Sequence, residues 1–250
     1  MTIFNFKRLV IDSQQRQKKH VYLTSEQQHY LKTVLRLKSG EKFISLDGEG
    51  QSWLVQLQEN TAEIIEPLDN KTELSCHVTL LVALPKGKGF ENIIRCCTEL
   101  GVTNFLPVIS DRTLLKPSAN RLYRWRKIAQ EAAEQSERQF VPTITEPMSF
   151  LSALFWVKEN DFNIQKYICV ARNNGHHLGQ YLFNVQKQQK GQSLIIATGP
   201  EGGWTNMEVE KATNIGFQPV SLGKRILRAI TAPITALSLI AAMDEGAFKQ

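Results

Sequence analysis

Apolar and polar positions fall into two textures along the chain. Residues 1–70 alternate short apolar runs with turn signals: FKRLVI, HVYLT, EKFISLDGEG, SWLVQLQ and TAEIIEPL. Runs of this length between turn residues predict strands. DGEG at 47–50 fits a hairpin turn between FISL and SWLVQL, since glycine tolerates the positive φ such turns need. One helix interrupts the strands. Ser25 is placed to cap it, and EQQHYLKTVLRL follows with either Tyr30, Val34 and Leu37 or Leu31 and Leu35 facing inward. The pattern predicts a small β-rich unit, barrel-like, that carries a basic helix. EPLDNKTELS at 66–75 is polar, contains a proline and reads as a linker.

From Cys76 the texture becomes α/β. HVTLLVAL is a continuous apolar run, as a strand covered on both faces would be. PKGKG is then the turn, and FENIIRCCTEL follows with Phe90, Ile93, Ile94, Cys97 and Leu100 at helical spacing. Gly101 stands where a helix C-terminus belongs, and VTNFLPVI is the next strand, which completes a βαβ unit. The longest helical pattern is SANRLYRWRKIAQEAAEQSERQF, with Leu122, Trp125, Ile128 or Ala129, Ala132 and Ala133 inward. Its arginines come early and its glutamates late, against the helix dipole, which assigns the basic end a task other than stability. YICVAR, SLIIATG and FQPVSLG are further strands, NMEVEKATNIG a helix, and APITALSLIAAMDEG an apolar helix at the end.

Charge adds a partner to this picture. Residues 1–42 carry nine Lys and Arg against three Asp and Glu, residues 43–72 carry one against six, and residues 112–138 carry seven against three. Clustered positive charge attracts a phosphate backbone, so nucleic acid is a candidate partner beside the plainer reading of a solvated face. Arg8, Lys32, Arg36 and Lys38 on the first unit, with Lys86, Lys88 and Arg112 further on, are the candidate nucleic-acid contacts, and RNA contacts under the resemblance described below. Cys76, Cys96, Cys97 and Cys169 form no CxxC pair, which argues against a zinc site and a disulfide framework. With no apolar run of ~20 residues and no secretory leader pattern, the expectation is a cytoplasmic protein that uses neither membrane nor metal.

Two loops concentrate the candidate chemistry. GPEGG at 199–203 is followed by neither GK[ST] nor the GxGxxG spacing, so neither standard phosphate cradle applies. Thr205 and Glu208 have capping-box spacing, which starts a helix at Asn206 and sets the glycines at the carboxyl edge of a parallel sheet. The loop is then a ligand cradle or a tight structural turn. VSLGKRILRAITAPIT repeats the design: Gly223, a basic stretch, Thr231 as a cap and Pro233 in the first turn. There Lys224, Arg225 and Arg228 are placed to meet an anion, and Ile226 and Leu227 to line a pocket.

GPEGG and LGKRILR, each followed by a helix, resemble the knotted methyltransferases of the SPOUT superfamily. More narrowly they resemble the bacterial family that methylates N3 of a uridine in 16S, small-subunit ribosomal RNA. HYLKTVLRLKSGE, ALPKGKGFENIIRCCTELGV, RWRKIAQEAAEQSER and the VP at 141–142 stand in that family's order, so the likeness spans nearly the whole chain. The resemblance implies a PUA-like RNA-binding β-barrel over 1–72. It implies a SPOUT α/β-knot domain over 73–250, with a parallel sheet and a deep trefoil knot. It also implies S-adenosyl-L-methionine as cofactor, held by Thr198, Gly199, Pro200, Glu201, Gly202 and Gly203 together with Leu222, Gly223, Arg225, Ile226, Leu227 and Arg228. A homodimer packed through helix 232–243 is implied as well.

The family reads LR-T-E-T-A where this chain has Leu227-Arg228-Ala229-Ile230-Thr231-Ala232, so a threonine and a carboxylate are replaced. Two other classes therefore stay open, an RNA-binding protein of this fold that has lost catalysis and a ribosome-assembly factor. Methylation at N3 requires loss of a proton, and His20, His29, His77, His176 and His177 lie in contexts unsuited to removing it. The expected chemistry is electrostatic. Arg225, Arg138 of the family-like EQSER and Arg228 are the catalytic candidates that hold the uridine or its phosphate.

Overall fold

The computed structural model describes residues 6–69, 71–114, 119–160, 164–171, 175–186 and 193–246. The chain divides into two compact units, Met1–Glu73 with Ala133–Val141, and Leu74–Ala132 with Pro142–Gln250. The boundary implied by the resemblance lay at 72/73. The difference of substance is the return segment 133–141, which belongs to the first unit although it begins in the last turn of a helix that starts in the second. Sequence texture cannot show this, because the segment is placed by partners some 65 residues earlier, such as Glu73.

In the first unit, strands β1 (Arg8–Val10), β2 (Arg16–Gln17), β3 (His20–Tyr22), β4 (Lys42–Leu46), β5 (Ser52–Leu57) and β6 (Thr61–Leu68) form one sheet. Their order is β1-β4-β5-β6-β3-β2. β1 and β4 run parallel and the other neighbours antiparallel. The β4–β5 hairpin turns on Asp47, whose carboxylate accepts from the amides of Glu49 and Gln51 at 2.8 and 2.9 Å. Phe43, Val21 and Val55 are fully buried at its core.

Helix α1 (Ser25–His29) is capped by Thr24 and not by Ser25, because Gln27 at the third position closes a reciprocal pair with it. The chain then widens into a π-helical turn over Tyr30–Val34, with the Leu35 amide donating to the Tyr30 carbonyl at 2.9 Å. The extra residue shifts the helical phase. Leu31 is fully buried, with Tyr30, Leu35 and Leu37 partly buried against the same core, while Val34 is 59% exposed, so the inward side draws on both faces the sequence left open.

In the second unit, β7 (His77–Ala83), α2 (Gly89–Glu99), β8 (Asn104–Ile109), α3 (Ala119–Gln135), β9 (Thr143–Ile144), β10 (Met148–Ser149), α4 (Phe150–Glu159), β11 (Gln165–Cys169), α5 (Leu178–Gln186), β12 (Ser193–Thr198), α6 (Asn206–Asn214), β13 (Gln218–Val220) and α7 (Thr231–Asp244) follow in turn. The strands run parallel in the order β10-β8-β7-β12-β11-β13, with β9 beside β8. β7 and β12 are buried almost throughout, as central strands covered on both faces must be. α4 and α5 were not anticipated from the sequence. α7 begins without a side-chain cap; Thr231 is its first residue and Ile230 its N-cap.

The parallel order carries the functional consequence. β11 lies between β12 and β13, so the loops leaving the carboxyl ends of these three neighbouring strands emerge side by side.

Candidate active site

Those three loops line one cleft of about 490 Å³. Cys169, Val170 and Ala171 come from the end of β11, residues 199–204 from the end of β12, and Ser221, Leu222, Gly223, Arg225, Ile226, Leu227, Ala229 and Ala232 from beyond β13. Ten of the expected cofactor residues meet there: Gly199, Pro200, Glu201, Gly202, Gly203, Leu222, Gly223, Arg225, Ile226 and Leu227. Two do not. Thr198 is fully buried at the end of β12, and Arg228 is exposed outside the lining, its carbonyl accepting the first amides of α7.

Several local features shape the cleft. Gly203 and Gly223 have φ of +67° and +122°, and a Cβ on either would meet nothing within 4 Å. Glycine is therefore required for backbone conformation and leaves open backbone facing space. Ile226 is 61% exposed on the same wall, an apolar surface that a bound group would cover.

α6 begins immediately after the loop. Thr205 and Glu208 cap one another, the Thr205 amide donating to Glu208 Oε2 at 2.8 Å and the Glu208 amide to Thr205 Oγ1 at 3.2 Å. Glu208 is 3% exposed and also accepts the Asp111 amide at 2.9 Å, which ties the turn after β8 to the start of α6. Glu201 accepts the Lys86 amide at 3.0 Å, which joins the 199–204 loop to the loop before α2. Burial pushes the Cys169 thiol up to about 12, so it lines the cleft as a neutral group.

The arginines sort differently from expectation. Arg225 is exposed on the cleft wall. Arg138 belongs to the first unit, is 4% exposed, and holds Glu73 by two nitrogens at 2.6 and 3.0 Å. The same carboxylate accepts the amides of Gln139 and Phe140. Arg138 is thus held by an ion pair within its own unit, and it is not among the residues that line the cleft. Arg8 is likewise committed: its side chain is 7% exposed and pairs with Glu137 at 2.7 Å. Lys32, Arg36, Lys38, Lys86 and Lys88 are exposed, with Lys32 Nζ donating to the Glu59 carbonyl. Arg112 lies on the cleft, bonded to the carbonyl of Gly202.

The sequence reading missed the β11 loop, Trp204, Asn206, Val209, Ser221 and the two alanines. The β11 loop was recoverable only from strand order, since YICVAR carries no ligand signal of its own.

The family model described as an RNA methyltransferase domain matches residues 72–241, and one described as an RNA methyltransferase PUA domain matches 23–66. The chain is 49% identical over 242 residues to ribosomal RNA small subunit methyltransferase E of Synechocystis, covering 96% of this chain and 78% of that protein. This chain belongs to the ribosomal RNA small subunit methyltransferase E family. The member of the family from Bacillus subtilis is 34% identical over 89% of this chain and 90% of its own length. A crystal structure of the Neisseria gonorrhoeae member, bound to S-adenosyl methionine, matches with a TM-score of 0.85 and 30% identity, covering 96% of this chain and 98% of that one. The PUA-like unit followed by an α/β methyltransferase domain, which the resemblance implied, agrees with these matches.

Proposed function

We propose that this chain transfers the methyl group of S-adenosylmethionine to N3 of a uridine in small-subunit ribosomal RNA. The observation that carries the reading is the convergence of three strand-end loops on one cleft, with glycine backbone on two sides and Arg225 on the wall. The residues fit the cofactor: Gly203 and Gly223 leave backbone open to close approach, and Ile226 and Leu227 supply apolar cover. When bound, S-adenosylmethionine supplies an electrophilic methyl group. The chain's part is to align the acceptor and exclude water, which Ile226 and Leu227 do from the cleft wall. Arg225 stabilises the negative charge that spreads over O2 and O4 as the N3 proton leaves to solvent. On this reading Arg228, exposed just beyond the lining, holds a neighbouring phosphate.

Lys86 and Lys88 are the RNA contacts of the second unit, and Lys32, Arg36 and Lys38 those of the first. The enzyme works without a metal, in the cytoplasm, as a homodimer. Half-exposed Ile234 and Leu239 on α7 support dimerisation through that helix.

The test is a methylation assay on small-subunit particles and on naked RNA, with the modified base mapped by mass spectrometry and mass in solution measured alongside. Cofactor binding without methylation of either substrate would favour an RNA-binding protein that has lost catalysis. Absence of cofactor binding would leave an assembly factor.

A further inference from the structure

Arg112 reads from the sequence as a phosphate contact, yet its surroundings give it another task. It stands in the turn Ser110–Thr113 that follows β8. This turn is closed by the Thr113 amide donating to the Ser110 carbonyl and the Ser110 amide donating to Thr113 Oγ1, both at 3.0 Å. The turn is docked on the start of α6 through the Asp111 amide on Glu208 and the Thr205 hydroxyl on Asp111 at 3.2 Å. From this fixed base Arg112 lies across the cofactor loop. One guanidinium nitrogen donates to the Gly202 carbonyl at 2.6 Å and is 3.4 Å from the Trp204 carbonyl. Its Cδ is 3.0 Å from where a Cβ on Gly202 would stand. Among the described residues no carboxylate pairs with it.

The two carbonyls flank Gly203, the residue at φ +67°. A glycine leaves such a conformation at little cost, so the loop's shape must be imposed by its neighbours. We propose that Arg112 is a positioning residue. By bridging the carbonyls on either side of Gly203, it holds the 199–204 loop in its cofactor-binding shape before any cofactor arrives, and it is not an RNA phosphate contact. Preorganisation of this kind lowers the ordering cost of binding. The inference rests on the reading of the cleft as an S-adenosylmethionine site.

The experiment compares wild type, Arg112→Ala and Arg112→Lys by three readouts: calorimetric affinity for S-adenosylmethionine, RNA affinity against salt, and amide exchange of residues 202–205 in the cofactor-free protein. Arg112→Ala is expected to weaken cofactor binding about tenfold, or about 1.4 kcal/mol, with faster exchange in 202–205 and RNA affinity within twofold. Arg112→Lys, which keeps the charge and loses the planar fork, should stay weakened for cofactor. Cofactor affinity within twofold of wild type in Arg112→Ala overturns the proposal. So does weakened affinity with unchanged exchange, which would make Arg112 a direct ligand contact. If wild type itself fails to bind S-adenosylmethionine, the reading of the cleft fails instead.

Discussion

Replacing Glu73 by alanine tests whether Arg138 is structural. The Glu73 carboxylate accepts Arg138 Nη2 at 2.6 Å and Nε at 3.0 Å, the Gln139 amide at 3.1 Å and the Phe140 amide at 3.3 Å. Removing one partner of a buried pair costs about 3–5 kcal/mol, because the remaining charge is stranded. Arg138 is 4% exposed and would be the stranded group, but the Glu73 side chain is 22% exposed, which lets water reach the gap and favours the lower end. The two orphaned amides add about 1 kcal/mol between them, so Glu73→Ala should destabilise the first unit by about 3–4 kcal/mol. Arg138→Ala strands a carboxylate that is better hydrated and still holds two amides, so about 2 kcal/mol is expected. The double variant should cost less than the sum of the two.

Native-state hydrogen exchange of the β4–β5 amides reads the opening of that unit alone. At 3 kcal/mol they should exchange roughly 100-fold faster in Glu73→Ala. Exchange within threefold of wild type would refute the argument. Loss of methyl transfer in Arg138→Ala with unchanged exchange would return Arg138 to the catalytic set.

The double variant Lys86→Ala with Lys88→Ala should weaken RNA binding across sequences and lower the slope of log K against log salt by about 2, leaving cofactor affinity unchanged; an unaltered slope removes both lysines from the interface. Burial holds the Cys169 thiol near 12 against an ordinary value of 9.0, and burial with Asp244 nearby does the same for Cys76. Unfolding then releases protons above pH 9, so stability should fall as pH rises from about 9 toward 12. Urea midpoints at pH 8 and 10.5 check this, and equal midpoints would contradict it. Ile230→Glu should cost about 1–2 kcal/mol of stability, the burial of a charge being partly offset by the adjacent N-terminus of α2, while calorimetric cofactor affinity stays within twofold; a tenfold gain in methyl transfer would show that the carboxylate's loss was catalytic.

What was legible in the sequence was local. The Thr205–Glu208 box, the Asp47 hairpin and the inward face of α3 each depend on residues a few positions apart. Periodicity and capping chemistry therefore located them, and burial of Trp125, Ala129 and Ala133 agrees. The two glycine loops were legible because a strand end and a flexible turn lead into a helix in each, although only the first helix has the side-chain cap expected of it. What escaped was set by distant partners. Arg8 and Arg138 look like any surface cations until Glu137 and Glu73 are brought to them, and the β11 loop joins the cleft only because β11 is inserted between β12 and β13. The π-helical turn escaped because no residue in YLKTV marks a change of helical pitch.

The same distinction bears on the departure at 229–230. Ile230 is not among the cleft residues; its Cδ1 and Cγ1 lie 3.1 Å from where a Cβ on Gly89 would stand, over the first residue of α2. A carboxylate there would meet a helix N-terminus, where its charge is favoured. Isoleucine replaces that electrostatic contact with apolar packing between α7 and α2. Ala229 does line the cleft and is 7% exposed, so the threonine-to-alanine change removes a hydroxyl from the wall while leaving the glycine backbone and Arg225 in place. The two replacements thus fall mainly on how α7 is seated. The groups proposed to hold cofactor and uridine lie on the three loops, so methyl transfer should persist without the carboxylate, and the comparison with Ile230→Glu tests this.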